Sequence, residues 1–300
     1  GRIGEACPQI KRSMELKVLC TRWGSDNLSM EEFIEKVLEA GYDGIDTWLP
    51  ESYNDRELLM KLTEQHKLLV VIQQHQAAGN TIDSFCDDFR THLNEAGSYS
   101  PYLINSHSGR DFFSLEDQQR VLDVADEFSA SRGIPVSHET HRGRIGYAPW
   151  NAIQHFTTRK DMKVTADISH WVCVTESLLE EFREALDSLV KRTAHIHARV
   201  GFAQGPQIPD PTAPHWKTEV DFHVAFWKRI FAYRIKKKLA DSKGIEKEFI
   251  TITPEFGPAP YMWINPSDGK PVADQWTSNL KMMKLVRKAF NELQPALINQ

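Results

Sequence analysis

Four side chains that can bind a metal ion or transfer a proton lie at the ends of four successive apolar segments. They are Glu139, Asp167, His197 and Glu255. Within each segment apolar residues alternate with small or polar ones, which predicts strands with one apolar and one polar face. The segments are IPVSHET (134–140), KVTADIS (163–169), TAHIHAR (193–199) and FITITPEF (249–256). In every segment the chemistry-bearing residue is in phase with the polar face.

This phase predicts a metal site. If the four strands are neighbours, three carboxylates and one imidazole converge, and the carboxylates repel one another unless a cation lies among them. Oxygen-rich coordination with one imidazole suits Mn²⁺, Mg²⁺, Co²⁺ or Zn²⁺. We therefore expect one divalent metal ion. Taken singly, each residue has a simpler explanation, because a strand-end carboxylate often caps a helix and a histidine in an apolar run is usually a core residue.

The four segments belong to a longer alternation of strands and amphipathic helices. The other strand candidates are LKVLCTRW (16–23), YDGIDTWL (42–49), LLVVIQQH (68–75) and PYLINSH (101–107). Eight units without a change of order predict an α/β fold, a closed (β/α)₈ TIM barrel spanning 16–300 as one domain after a leader segment, 1–15. The alternative is a doubly wound open sheet, but its usual Gly-rich phosphate turns, GxGxxG and GxxxxGKS, do not follow the first strand.

Two helices show clear patterns. Ser29 and Glu32 have the spacing of a capping box, and Gly41 is placed to end the first helix. A second stripe of apolar residues predicts a helix after the sixth strand. Its members are Leu178, Leu179, Phe182, Leu186, Leu189 and Val190.

Bulk charge argues against a polyanionic partner. The 300 residues include 36 basic and 41 acidic side chains, a formal net charge of −5, so no nucleic acid is expected. No stretch approaches the roughly 20 apolar residues of a membrane span, so no membrane association is expected. The 4 cysteines form no CxxC pair, which favours reduced thiols and a cytoplasmic protein. A secreted form whose signal has been removed stays open, as does a homo-oligomer.

The strand-end motifs resemble those of the xylose isomerase-like barrel superfamily. These motifs are HETHRG (138–143), TADISHW (165–171), HIHAR (195–199) and TPEFG (253–257). The superfamily contains sugar and sugar phosphate isomerases and epimerases, and the endonuclease IV type of abasic-site nuclease. GYDGID (41–46) is also typical of the superfamily, and we assign it no chemistry.

The resemblance implies roles for individual residues. Glu139, Asp167, His197 and Glu255 match the metal ligands of the ketose 3-epimerases, and His170 matches their substrate-binding histidine. The two glutamates would also form the catalytic acid/base pair. The implied reaction is proton transfer next to a carbonyl through a metal-bound enediolate, on a sugar or sugar phosphate.

Further side chains lie at or near predicted strand ends and are expected to bind substrate. His75 and His107 end the third and fourth strands, and His141 follows the fifth. Arg199 could bind a hydroxyl or a phosphate. His195 lies one pleat deeper than His197, so we expect it to support the site from behind. The expected partner is a small carbohydrate.

The sequence is compatible with three other functions. A metal-dependent lyase, dehydratase or hydrolase acting on a polyol-like substrate would use the same ligands. A nuclease would need a fuller metal set, for which the chain offers His75, His107, Asp221 and His223. The last two, however, fall inside a helical pattern too far beyond His197. A barrel that binds sugars without turning them over is the third reading.

Overall fold

The computed structural model describes residues 12–300, and the strands within this range close into a parallel barrel. Leader residues 1–11 lie outside the described range, so the proposed boundary after residue 15 stays a prediction. The strands are β1 (Glu15–Thr21), β2 (Gly44–Trp48), β3 (Leu69–Gln74), β4 (Leu103–Ser106), β5 (Val136–Glu139), β6 (Val164–Ala166), β7 (Thr193–Ala198) and β8 (Phe249–Pro254). Each lies within or close to its predicted segment.

The pairing of the first and last strands shows that the barrel is closed. Strand β1 pairs in parallel with β2, where Leu19 lies opposite Gly44, and also with β8, where Leu16 lies opposite Ile250. Every other strand pairs with the one before it and the one after it. The predicted (β/α)₈ TIM barrel is therefore confirmed, and the open sheet is wrong.

Helices follow the strands and cover the outside of the barrel. They are α1 (Met30–Ala40), α2 (Tyr53–Gln65), α3 (Ile82–Gly97), α4 (Leu115–Arg132), α5 (Pro149–Thr158), α6 (Ile168–Thr175), α7 (Arg183–Arg192), α8 (Lys217–Leu239) and α9 (Gln275–Ile298). The Ser29–Glu32 capping box of α1 is present, and Gly41 ends that helix at φ 83°. Across residues 12–300, no helix combines the length and the apolar character that a membrane span requires.

The region after β6 differs from the prediction. Strand β6 ends at Ala166, and Asp167 caps the short helix α6 instead of extending the strand. Glu176 then adopts a left-handed conformation that ends α6, and Leu179 has φ 63°. The predicted apolar stripe therefore begins in a turn, and α7 carries only its second half. This early end of β6 places Asp167 and His170 on one short turn.

Strand alternation separates an apolar exterior from a polar interior. Ile196 and Ile252 belong to the core between strands and helices, whereas Leu19, Val71 and Leu103 form a separate small apolar cluster. By alternation these three share the inward phase of the polar strand residues, so they fill the barrel interior below them. The polar inward residues are consequently concentrated towards the carboxyl ends of the strands.

Candidate active site

The structure brings together the four residues predicted to bind metal. Glu139 ends β5, Asp167 follows β6, His197 lies in β7 and Glu255 follows β8. One potential ligand atom from each lies within 4.8 Å of the others, and all four residues are buried. We call these four residues the carboxylate cluster. Its place at the carboxyl ends of the strands is where TIM-barrel enzymes carry their active sites.

His197 is at the centre of this cluster. Its Nδ1 lies 3.1 Å from Glu139 Oε1 and also contacts Glu255 Oε2. Burial lowers the pKa of His197, but the charges of Glu255 and Glu139 outweigh it and raise that pKa well above 6.5. One proton on Nδ1 serves only one of the two carboxylates, and Glu255 Oε2 is buried without a hydrogen bond of good geometry.

Asp46 is a functional candidate that sequence reasoning missed. Its Oδ2 lies 2.9 Å from Nε2 of His197 and 3.1 Å from Nε2 of His195, and it accepts a hydrogen bond of 2.8 Å from Thr253. Burial alone raises the pKa of Asp46, but the two histidines lower it far below its usual range. The expectation that GYDGID carries no chemistry is therefore not supported by these contacts. The missed signal was an acidic residue inside the apolar strand β2.

Arg199 lies inside the site as a built-in cation. Its Nη1 lies 2.7 Å from Asp167 Oδ2, and its Nε donates to the backbone carbonyl of Glu255 at 3.0 Å. The guanidinium is 2% exposed, and it lies 4.7 Å from the ring centroid of Tyr261. Its contacts with the carboxylates of Asp167 and Glu255 favour a role in holding both in place, and substrate binding by Arg199 stays a prediction.

Asp167 has two roles in the geometry. Its Oδ1 accepts hydrogen bonds from the backbone N–H and from the hydroxyl group of Ser169, so Asp167 caps α6. Its Oδ2 faces Arg199. Burial raises the pKa of Asp167 to about 7, with Arg199 opposing and Glu139 and Glu255 adding to the rise. The same side chain therefore caps α6 and lies in the carboxylate cluster.

Glu139 connects the cluster to the rim of the barrel. Its Oε2 accepts a hydrogen bond of 2.9 Å from Asn105 Nδ2 and lies 2.5 Å from His107 Nε2. Burial raises the pKa of Glu139, but His107 and His197 outweigh it and hold that pKa well below 4.5. Glu139 is therefore ionised at neutral pH. Asn105 is a second residue that sequence reasoning missed.

The predicted substrate-binding histidines form one continuous row along the rim. We call His75, His107, His141 and His170 the histidine row. Successive ring centroids are 6.1, 4.4 and 4.0 Å apart. Burial lowers the pKa of His75 to about 4, of His141 to about 3, and that of His170 well below 6.5. These three rings are therefore neutral at pH 7 and act as hydrogen-bonding groups without adding positive charge.

Asp221 and His223 lie in α8, away from the carboxylate cluster. Asp221 pairs on the surface with Lys217. His223 is buried, and its two ring nitrogens are used: Nδ1 lies 2.7 Å from the Glu219 carbonyl and Nε2 accepts the Gly201 N–H at 3.2 Å. These contacts do not assemble the fuller metal set that a nuclease of the endonuclease IV type needs.

Because His223 is buried in its neutral form, the protein should lose stability as the pH falls. Burial lowers the pKa of His223 to about 4, and the unfolded chain has the ordinary value near 6.5. Between these two pKa values the unfolded chain binds one more proton at His223 than the folded protein does. Neutral His223 therefore contributes fully to the free energy of unfolding above about pH 6.5, and this contribution is lost as the pH falls towards 4. Replacement by Gln should reduce the pH slope of the unfolding free energy by about 1.4 kcal/mol per pH unit in this window.

Urea denaturation at several pH values between 4 and 7.5 measures this slope. The exposed residue His66 provides the control, and His66→Gln should leave the slope of the parent unchanged. An unaltered slope in His223→Gln would show that His223 is not held neutral by its contacts.

The residues present fit a divalent metal ion. Three carboxylates and a histidine nitrogen form the donor set, and Glu255 Oε2 lacks a hydrogen bond of good geometry. Asp46 lies on the far side of His197, as a carboxylate does when it fixes the tautomer of a metal-binding histidine. Arg199 neutralises the charge of one carboxylate. When Asp46 is counted with the three carboxylates of the cluster, carboxylates still outnumber the one guanidinium.

Three solved structures are similar to this chain in fold. A D-tagatose 3-epimerase-like protein is similar with a TM-score of 0.61 and 15% identity over 95% of this chain and 100% of that chain. A 3-keto-D-glucoside 4-epimerase from E. coli has a TM-score of 0.61 and 13% identity over 91% of this chain and 100% of that one. A probable 3-DHS dehydratase from Bacillus anthracis has a TM-score of 0.55 and 14% identity over 90% and 99%.

Sequence comparison adds nothing further, since no family model matches the chain and no curated protein sequence matches it either. The structural likenesses agree with the closed parallel barrel. The fold is therefore the closed (β/α)₈ TIM barrel that these solved structures share.

Proposed function

We propose that the protein is a divalent-metal-dependent isomerase or epimerase that moves a proton next to the carbonyl group of a sugar. The observation that carries this proposal is the meeting of Glu139, Asp167, His197 and Glu255 at the carboxyl ends of four strands. The structural likeness to a D-tagatose 3-epimerase-like protein and a 3-keto-D-glucoside 4-epimerase supports the choice of reaction class.

The carboxylate cluster would hold the metal. When bound, the ion withdraws electrons from the substrate carbonyl and so makes the neighbouring C–H bond more acidic. Asp46 would keep a proton on Nε2 of His197. The other ring nitrogen, Nδ1, which faces the cluster, would then be free to bind the metal. Arg199 fixes the Asp167 carboxylate and the backbone at Glu255.

Glu139 and Glu255 would transfer the proton. Glu139 is ionised at neutral pH, so it is ready to act as the base. Glu255 comes from a different strand and approaches the same His197 nitrogen, so the two carboxylates border one region from β5 and β8. In epimerisation one glutamate removes a proton from one face of the carbon, and the other glutamate, in its protonated form, delivers a different proton to the opposite face.

The histidine row would bind the hydroxyl groups of the substrate. Its neutral members offer both donors and acceptors, which matches a polyol better than an anion. His107 already contacts Glu139, so it also orients that carboxylate. These roles favour a small carbohydrate as the substrate.

An NMR assay in D₂O tests the proposal. The purified protein is stripped with a chelator and reloaded with Mn²⁺, Mg²⁺, Co²⁺ or Zn²⁺, and it is then incubated with a panel of ketoses and keto-glycosides. Each sample is quenched, freed of metal and examined by proton NMR. With at least one of the added metals, deuterium should appear at a carbon next to the carbonyl. Product analysis separates epimerisation from elimination of water. Conversion that is equally fast in the chelated protein would contradict metal dependence.

A further inference from the structure

A cavity of about 470 Å³ lies between the loops that follow β7 and β8. The rings of Phe202, Tyr261 and Trp263 form much of its wall, together with the side chain of Arg142. Trp263 is 39% exposed, so its ring is partly open to a ligand. The mechanism proposed above does not use this cavity.

Two residues of the cavity wall also contact residues of the site. Arg142 Nε donates to His170 Nδ1 at 3.1 Å, which joins the cavity wall to the histidine row. The Tyr261 ring centroid lies 4.7 Å from the guanidinium of Arg199 and 6.0 Å from that of Arg142. Arg142 and Tyr261 therefore form a wall that the cavity shares with the site.

Contacts within the protein hold the walls of the cavity in place without a ligand. The backbones of Phe202 and Gly205 exchange hydrogen bonds of 2.9 and 3.1 Å, which fixes a tight turn. Trp263 Nε1 donates to the carbonyl of Gln207 at 3.0 Å and so ties the two loops together. Trp216 packs against Phe202 and Trp263, with ring centroids 5.0 and 5.6 Å away. A preformed pocket binds its ligand with little ordering cost.

We propose that this cavity binds a second ring of the substrate, so that the enzyme acts on a glycoside or disaccharide in preference to a free monosaccharide. The inference rests on the proposed sugar reaction and names its substrate class. Aromatic side chains pack against the apolar C–H face of a sugar ring, while hydroxyl groups take hydrogen bonds from polar side chains. Arg142 is the one cationic side chain among the described residues that line the cavity, which fits an uncharged ring better than a phosphate.

Calorimetric titration of the metal-loaded protein tests the proposal independently of turnover. The probes are maltose, cellobiose and sucrose, compared with glucose, fructose and glucose 6-phosphate. At least one disaccharide should bind about tenfold more tightly than either monosaccharide, a gain that burial of one more ring face supplies. Equal affinities, or tightest binding of glucose 6-phosphate, would overturn the proposal.

Three variants place the effect in the cavity. Trp263→Ala should remove the tenfold preference, whereas Trp263→Phe keeps a ring and should retain most of it. Trp150 is exposed and lies outside the cavity, so Trp150→Ala should behave as the parent. A preference that survives in Trp263→Ala, with thermal unfolding showing a folded protein, would contradict the assignment.

The outcomes also separate this inference from the proposed reaction. A disaccharide preference that depends on Trp263, without proton exchange on any sugar, supports the cavity and contradicts the reaction. Proton exchange on monosaccharides alone, without a disaccharide preference, supports the reaction and contradicts the cavity.

Discussion

Glu139→Gln protein loaded with metal should bind its sugar substrate yet exchange the proton next to the carbonyl at least about 100-fold more slowly than the parent. An amide cannot accept the proton, and a general acid or base contributes roughly 10² to 10⁴ in rate. Glu255→Gln should show a loss of similar size. The measurement is the rate of deuterium incorporation from D₂O, followed by NMR.

Metal content must be measured on the same samples, because each glutamate is also a proposed ligand. Glu35 lies exposed on α1, and Glu35→Gln is the matched control that should exchange at the parental rate. If metal-loaded Glu139→Gln and Glu255→Gln both exchange near the parental rate, the two-glutamate mechanism is wrong. His170 or His107 would then be the next candidate base.

The second large effect is expected at Asp46. Replacement by Asn should weaken metal binding by about 10- to 100-fold, the usual cost of removing a carboxylate behind a metal-binding histidine. The Asn amide can donate to Nε2 of His197, which moves the imidazole proton to Nδ1 and blocks the nitrogen that faces Glu139. Asp46 therefore acts as a positioning residue.

Competition with a fluorescent metal chelator measures this affinity. Thermal unfolding of the metal-free variant is followed alongside, because Asp46 also contacts His195 and Thr253 in the buried interior. The exposed Asp87 gives a control, since Asp87→Asn should bind metal like the parent. An unchanged metal affinity in a folded Asp46→Asn protein would remove Asp46 from the site.

Strand alternation was sufficient to predict the barrel and the phase of the inward residues. In β7, His195 and His197 alternate with Ile196 and Ala198, and the structure places the two pairs on opposite faces. Since parallel strands end on one side of a barrel, the same phase on four neighbouring strands also predicts that their polar ends meet. The meeting of Glu139, Asp167, His197 and Glu255 was predictable for this reason.

Contacts across the barrel were not predictable in the same way. Asp46 and His197 are 151 positions apart and lie on strands that do not pair, so their contact depends on the diameter and stagger of the closed barrel. Arg199 continues the inward phase of β7, but only the packed site shows that its guanidinium turns to Asp167. The early end of β6 depended on Asp167 capping α6, which competed with the strand pattern.

The central claim is that one divalent metal ion binds within the carboxylate cluster. Anomalous diffraction from crystals grown with Mn²⁺ tests it most directly. We expect one strong peak per chain, within about 2.0 to 2.6 Å of oxygen atoms of Glu139, Asp167 and Glu255 and of Nδ1 of His197. Absence of a peak among these four side chains at saturating Mn²⁺, or a cluster of three peaks, would contradict it.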